Sequence, residues 1–237
     1  LHVINLCGDK LFEYPSFDLL ISELNQYNVT KRIYLKLEYL PRSLVKLMRW
    51  KEEIDQVKIS IDPDFDLEKL LYFFNLIENA NIECFWQFNI SSELNYNEVE
   101  DFIDMYKLEN YEILPFFNGN NYDFFEEFVF LTEEEIQCNQ LTKREIFAHQ
   151  VLNTNNFGKL TLKADGNVYA NIHQPPLGTI NDSVNEMICK ELNSTSSWLR
   201  IRNNILPCSN CLYKWLCPSP SDYEHVIGKP NLCHVIT

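Results

Sequence analysis

The chain has 237 residues, 46% of them hydrophobic and 14% aromatic, so it can bury a sizeable core in one large domain, with or without a small appendage. Its formal net charge of −14 would repel nucleic acid and anionic membrane surfaces, so neither is expected as a partner. No apolar stretch approaches the roughly 20 residues that a membrane-spanning helix needs. Eight cysteines without a secretory signal indicate reduced thiols and a cytoplasmic location.

The first 118 residues alternate short apolar runs with amphipathic helical segments. The apolar runs predict five strands, Val3–Leu6, Arg32–Leu37, Val57–Ile61, Ile82–Ile90 and Tyr111–Phe117. The spacing between them predicts four helices: Phe17–Gln26, one opened by Pro41 and running to Trp50, Leu67–Glu78, and one capped by Asn95 and Glu98 and running to about Leu108. Because strands and helices alternate, we expect parallel βα units, open or partly closed as a barrel. The chain starts within a strand-like run, so we also expect a segment upstream of it.

After residue 118 the pattern changes to short helices and one hairpin. Thr132 and Thr142 each begin a capping-box pattern. The sequence Ala164-Asp165-Gly166 between two alternating runs, Lys159–Lys163 and Asn167–Asn171, predicts a β-hairpin. Further helices are expected from Ser183 and over Ser196–Asn203, and the Pro-rich last thirty residues are expected to form a loop.

Four cysteines near the C-terminus form the pattern Cys-x2-Cys-x5-Cys-x15-Cys, at Cys208, Cys211, Cys217 and Cys233. A Cys-x2-Cys pair can turn two thiolates onto one metal centre, and two more thiolates complete a four-sulfur ligand set. Zinc and iron–sulfur clusters both accept four thiolates, so the spacing leaves the two open. Either would staple a tail that has little core of its own.

The order of a βα half, an Asp-Gly hairpin and a Cys-rich tail resembles radical S-adenosylmethionine (SAM) enzymes that carry a SPASM domain. Strand Val3–Leu6 with the following turn Cys7–Lys10 is similar to their second barrel strand, Val57–Asp62 to their fourth and Tyr111–Pro115 to their sixth. The resemblance implies an α/β fold: a partial (β/α) barrel of parallel strands over 1–118 whose first strand is missing, a helical linker over 119–157, and a small SPASM-like α+β domain over 158–237.

SPASM domains usually hold two auxiliary iron–sulfur clusters, and the resemblance assigns the four tail cysteines to the outer one. Ligands of the inner cluster are missing, since Asn171 and Ser221 stand where two of its cysteines are expected and 151–157 contains none. We therefore predict one [4Fe-4S] cluster rather than two.

This chain also differs from the family at the catalytic end of the barrel. No Cys-x3-Cys-x2-Cys motif, which would hold the SAM-cleaving cluster, is present, and the turn Cys7–Lys10 differs from the family's Gly-Gly-Glu-Pro. SAM binding is thus not expected, nor SAM cleavage by this chain. The nearest likeness is to degenerate, pseudo-radical-SAM members from Bacteroidales that are encoded beside short Gly-Gly peptides.

Polar residues follow the predicted strands at the rim where ligands bind in α/β folds: Asp9, Glu38, Ser60, Asp62 and Asn89. In the relatives a serine on the fourth strand can face the SAM ribose, so Ser60 is the best single candidate for residual nucleotide binding. Glu38 and Asp62 could act as a carboxylate pair, or serve as solvated loop residues or helix caps.

The other four cysteines, Cys7, Cys84, Cys138 and Cys189, are isolated in apolar surroundings and are expected to be small buried hydrophobes.

The resemblance implies a non-catalytic or degenerate accessory protein in ribosomal peptide modification. Its expected partner is a short precursor peptide or a radical SAM enzyme. Two alternatives stay open: a fragment of an active radical SAM/SPASM peptide-modifying enzyme whose SAM-cluster motif lies upstream, and a zinc-stapled scaffold protein.

Overall fold

A computed structural model describes residues 2–8 and 10–235 of the chain. The chain divides into two compact units, Leu1–Asn118 and Gly119–Thr237. The separation of a helical linker from a SPASM-like domain within the second unit stays a prediction. Asp9, one of the candidate rim residues, lies outside the described residues.

The first unit is built on a parallel sheet in which strands follow one another in chain order. Its strands are β1 (Val3–Cys7), β2 (Thr30–Lys36), β3 (Gln56–Ile61), β4 (Cys84–Ile90) and β5 (Tyr111–Pro115). The longer helices between them are α1 (Phe17–Leu24), α2 (Leu40–Trp50), α3 (Leu67–Ala80) and α4 (Glu93–Tyr106). The predicted parallel βα organisation is confirmed.

Side chains alternate between the two faces of this sheet. On β3, Val57, Ile59 and Ile61 are buried, whereas Lys58 and Ser60 are only partly covered. The same alternation continues in β2 and β4, so one face is apolar and buried while the other is polar and half-exposed. The apolar face packs against helices; the ring of Phe88, for example, lies 6.0 Å from that of Phe102 on α4.

The five strands form an open sheet. Within the described residues β1 and β5 are at opposite ends of the strand order, and no pairing closes the sheet into a barrel. The fold is therefore a mixed α/β fold with an open parallel sheet in its first unit.

Helix α4 begins earlier than the sequence predicts. Its cap is Ser92, whose hydroxyl accepts a hydrogen bond from the backbone N–H of Asn95 at 3.2 Å. The expected cap at Asn95 is wrong, because that side chain is buried and donates to the carbonyl of Pro63 at 2.8 Å.

The second unit combines short helices with a small antiparallel sheet, in the order β6-β7-β8. Its labelled elements are α5 (Tyr122–Phe128), α6 (Glu133–Cys138), α7 (Lys143–Val151), β6 (Thr161–Leu162), β7 (Asn167–Tyr169), β8 (Gly178–Thr179), α8 (Val184–Ser194) and α9 (Asp222–Ile227). Among the described residues, none of the helices combines the length and the apolar character that crossing a bilayer demands.

Two capping boxes and the hairpin confirm the local sequence patterns. Thr132 with Glu135 opens α6 and Thr142 with Glu145 opens α7, each by reciprocal hydrogen bonds. The hairpin turns at Gly166, whose φ of +83° lies in the left-handed region that glycine tolerates best. The third strand, β8, was not predicted because its two residues are too few to show an alternation of apolar and polar side chains.

Two predictions for the end of the chain are wrong. Residues 196–203 do not form the expected helix, since the buried carboxylate of Glu191 accepts hydrogen bonds from the backbone N–H groups of Ser197 and Trp198, both at 2.8 Å, and holds them in a turn. The final thirty residues are not wholly a loop either, because they contain α9.

Candidate metal centre

Three of the four tail cysteines lie on one irregular segment. Cys208 starts a short 3-10 turn, Cys208–Asn210, directly after a cis Leu206–Pro207 peptide bond. The backbone N–H of Cys211 donates to the carbonyl of Cys208 at 3.0 Å, which brings this pair onto the same side of the turn.

The fourth cysteine is held by a distant part of the second unit. Cys233 forms an isolated parallel bridge with Leu131. On either side of it, the N–H of Leu131 donates to the carbonyl of Leu232 at 3.1 Å, and the N–H of His234 donates to the carbonyl of Leu131 at 3.0 Å. Backbone pairing thus fixes the position of Cys233 in a segment without regular structure of its own.

All four tail cysteines line one small cavity of about 20 Å³. The remaining lining residues are Ile136, Arg202, Pro207, Lys214, Asn231 and Val235. The structure therefore brings together the four residues that the sequence singled out as metal ligands.

Hydrogen-bond donors surround three of the thiols. The backbone N–H of Tyr213 donates to Cys211 Sγ at 3.4 Å, and Asn231 Nδ2 donates to Cys233 Sγ at 3.2 Å. Arg202 Nη1 lies 3.9 Å from Cys208 Sγ. Donors of this kind stabilise thiolate ligands and tune the metals they hold.

The four thiols share one electrostatic environment. Burial raises the pKa of the Cys208 thiol and raises the pKa of Cys217 to about 11. For Cys217, the guanidinium of Arg202 lowers the pKa, whereas the thiols of Cys233, Cys211 and Cys208 raise it further. Only thiolates bind metals, so metal binding here would release protons.

Four thiols are suitable ligands for a metal, but their present arrangement does not form a metal site. Among the described residues, no group of three or more His, Cys, Asp or Glu side chains could hold a metal ion as it stands. A tetrahedral zinc site places its four sulfurs about 3.8 Å from one another, as Zn–S bonds of about 2.3 Å imply. The cavity is small, about 20 Å³, so a four-iron cluster would require more rearrangement of the thiols than a single ion.

A buried ion triad adjoins the cavity. The Glu224 carboxylate, with 1% of its side chain exposed, lies 2.7 Å from Arg202 Nη1 and 3.3 Å from Arg200 Nη2. Burial raises the pKa of Glu224, and both guanidiniums act in the opposite sense. With two permanently charged neighbours at these distances the carboxylate is ionised near neutral pH.

Asn171, which stands where the resemblance would have a cysteine, belongs to a network of asparagines. Asn171 and Asn156 both donate to the carboxylate of Asp222, at 2.5 and 3.5 Å. Asn153, which is completely buried, donates to the carbonyls of Arg200 and Pro220 at 3.2 and 2.9 Å. A hydrogen-bonded amide network thus joins the loop after α7 to the segment before α9.

Ser60 lies on the half-exposed face of the sheet and is hydrogen-bonded to neighbouring side chains of that face. Its hydroxyl accepts hydrogen bonds from Asn89 Nδ2 at 2.9 Å and from Gln87 Nε2 at 3.5 Å. Asp62 forms an ion pair with Lys36 at 3.0 Å rather than standing as an isolated carboxylate. These contacts give Ser60 and Asp62 structural partners, and a nucleotide-binding role for Ser60 stays a prediction.

The expectation that the isolated cysteines are buried is wrong for three of them. Cys7, Cys138 and Cys189 are exposed, because they lie on an edge strand, at the end of α6 and on the outer side of α8. Cys84 is half-buried, and burial together with two nearby glutamates raises its pKa to about 12.

The chain matches no protein-family model, no curated protein and no solved structure. The likeness to radical SAM/SPASM proteins therefore rests on its residues and motifs alone.

Sequence reasoning missed the charged and amide residues around the cavity. A signal was present for Glu224, because Ser221-Asp222-Tyr223-Glu224 has the spacing of a capping box at the start of α9, where Ser221 is the N-cap residue although its side chain makes no capping hydrogen bond. Arg202 and the side-chain nitrogen of Asn153 carry no local signal, since the carbonyls of Pro218 and Pro220 to which they donate lie far away in the sequence.

Proposed function

We propose that this chain is a degenerate radical-SAM-like protein with a SPASM-like C-terminal part, which binds one metal centre and acts as an accessory in ribosomal peptide modification. Cys208, Cys211, Cys217 and Cys233 are the proposed ligands. The resemblance favours a [4Fe-4S] cluster as the bound group. The single observation that carries the proposal is that these four thiols line one cavity.

Such a group, held by four thiolates, has no free coordination position, so it would serve as a structural staple or an electron carrier. Other residues of the chain position the ligands: backbone pairing fixes Cys233, and N–H donors orient Cys211 and Cys233. The metal would join the segment around Cys208 to the segment around Cys233.

Zinc is the second candidate, and the size of the cavity favours it. A volume of about 20 Å³ accommodates a single ion more readily than a four-iron cluster. In that case the protein would be a zinc-stapled scaffold with the same ligands.

Metal and acid-labile sulfide analysis on anaerobically purified protein separates these candidates. Iron and sulfide in near-equal amounts, about four of each per chain, support the cluster. One zinc per chain without sulfide supports the scaffold. Protein with neither metal after reconstitution would refute the proposed centre. A variant in which Cys138 is replaced by Ala is the matched control, because this exposed thiol lies outside the cavity.

The half-exposed face of the parallel sheet supports the peptide-binding part of the proposal. Most parallel sheets are apolar and covered on both faces. Here one face carries Tyr34, Lys58, Ser60, Gln87 and Asn89. Several of these groups bond to one another or to Glu112, yet all five side chains are half-exposed and keep donor and acceptor capacity for a peptide backbone.

Calorimetry with a synthetic short peptide that carries a Gly-Gly motif tests this part. We expect saturable binding that Asn89→Ala weakens and that Asn75→Ala leaves unchanged, because Asn75 is exposed on α3. No heat at high micromolar peptide would refute peptide binding without touching the metal proposal. Finding Cys-x3-Cys-x2-Cys upstream would instead favour an active radical SAM enzyme.

A further inference from the structure

Arg202 contacts all three backbone segments that carry the tail cysteines. Its Nε donates to the carbonyl of Pro218 at 3.0 Å, one residue after the third cysteine. Its Nη1 donates to the carbonyl of Pro230 at 3.5 Å, on the segment that leads to the fourth. The same Nη1 lies 3.9 Å from Cys208 Sγ. One guanidinium therefore bridges all three segments, in addition to the hydrogen bond from Lys214 Nζ to the carbonyl of Ser209 and the pairing of Cys233 with Leu131.

Arg202 shares its carboxylate partner with Arg200. Glu224 pairs with both guanidiniums, and Asp222 is a further acidic neighbour of Arg200. Arg200 reaches the carbonyl of Ser221 and does not line the cavity. Of the two guanidiniums, that of Arg202 is therefore the one that faces the thiols.

We propose that Arg202 is the positioning residue of the tetracysteine site: it holds the cysteine-bearing segments together before a metal arrives and offsets thiolate charge once the metal is bound. This inference rests on the proposed metal site. Four thiolates around Zn²⁺, or around a cluster core of charge +2, leave a net charge of about −2 in either case, so the second role does not depend on the metal. The planar fork of arginine suits the first role, because it donates in several directions at once, which a lysine ammonium at the end of a flexible stem does less well.

The test compares wild-type protein with Arg202→Gln, Arg202→Lys and the matched control Arg200→Gln. Arg200 has the same side chain and the same carboxylate partner but does not line the cavity that the four thiols share. Hydrogen exchange on the metal-free protein reports how well segments 205–219 and 228–235 are held. Release of metal to a chelator reports retention. The electronic readout is the reduction potential if the wild type holds a cluster, or the thiolate-to-cobalt absorption of Co²⁺-substituted protein if it holds zinc.

We expect Arg202→Gln to speed exchange in both segments and to speed metal release about tenfold or more, the usual effect of removing a residue that supports a metal ligand. In a cluster-bearing protein it should also shift the reduction potential to more negative values, because a positive charge beside the thiolates favours the reduced state. In a zinc-binding protein it should shift the cobalt absorption. Arg202→Lys should restore the electronic readout but not slow exchange, which separates the charge from the hydrogen bonds.

A double variant, Arg202→Gln with Glu224→Gln, removes the unpaired carboxylate that the single variant leaves behind. If the double variant restored both metal retention and the electronic readout, the loss in Arg202→Gln would be caused by the unpaired Glu224 carboxylate, and the inference would be wrong. It would also be wrong if Arg200→Gln matched Arg202→Gln, or if Arg202→Gln left exchange unchanged. Wild-type protein that binds neither iron nor zinc refutes the proposed function. The exchange data on metal-free protein then still decide whether Arg202 holds the segments.

Discussion

Replacing Asn153 by Ala should destabilise the second unit strongly. The Asn153 side chain is completely buried and makes four hydrogen bonds: Nδ2 donates to the carbonyls of Arg200 and Pro220, and Oδ1 accepts from the N–H groups of Asn155 and Asn156 at 2.9 and 3.2 Å. At about 0.5–1.5 kcal/mol each, these bonds together contribute about 2–6 kcal/mol. The expected loss is thus about 4 kcal/mol, a large part of the roughly 5–15 kcal/mol that stabilises a typical domain.

Hydrogen exchange measured by mass spectrometry is the suitable assay, because it reports the two units separately. Exchange should become faster in peptides from the second unit of Asn153→Ala and stay unchanged in peptides from the first. Asn153→Asp keeps the size but turns a carboxylate oxygen towards two carbonyls, so its effect should be at least as large. Asn193→Ala, at an exposed position on α8, is the control and should change stability by less than about 0.5 kcal/mol. A loss below about 1 kcal/mol for Asn153→Ala would contradict the hydrogen-bond account.

Three further predictions concern single side chains. In metal-loaded protein, Cys208→Ala or Cys233→Ala should loosen the residues after about 200 far more than the first unit, since the tail loses a ligand; limited proteolysis that cuts both units equally would speak against the metal staple. Iodoacetamide at about pH 8 should label the exposed cysteines of α6 and α8 and spare Cys84, because only thiolates react and burial raises the pKa of Cys84 to about 12; equal labelling, located by mass spectrometry, would be inconsistent with that pKa. Asp66 caps α3, and hydrogen bonding, chiefly from the Lys69 N–H, holds the pKa of Asp66 below its ordinary value of 3.8. The stabilising effect of the ionised cap is therefore present above pH 3.8 and is lost as the pH falls through the folded-state pKa. Asp66→Asn keeps a cap oxygen and should flatten the fall in melting temperature between about pH 5 and 3; an unchanged slope would exclude Asp66 as the cause.

Much of the first unit could be predicted from the sequence because its elements are specified locally. Alternating runs such as that of β3 mark strands, and the helical spacing from Leu67 marks α3. Some helix and strand boundaries differ from the predicted ones by a few residues because tertiary contacts determine them. Helix α4 begins after Ser92 because the side chain of Asn95 binds the carbonyl of Pro63 instead of capping the helix. The open form of the sheet depends on pairing between distant strands, which the local pattern does not encode.

The candidate site could be predicted only in part. Cys208, Cys211 and Cys217 are close in sequence, and their spacing points to one centre. The positions of Arg202 and Glu224 beside them could not be predicted, because an ion pair between residues 22 apart leaves no trace in composition or periodicity. The exposure of Cys138 was missed for a related reason, since neighbours in the sequence do not decide which side of a short helix is covered.

The bridge between Leu131 and Cys233 has a consequence for the proposed metal centre. Backbone pairing already holds Cys233 in place without a metal, whereas the other three thiols lie within ten residues of one another. The long loop to the fourth proposed ligand is thus closed in advance, so its entropy would not be lost at the moment of binding. Conditions that break the pairing at Leu131 should therefore weaken binding by this ligand set.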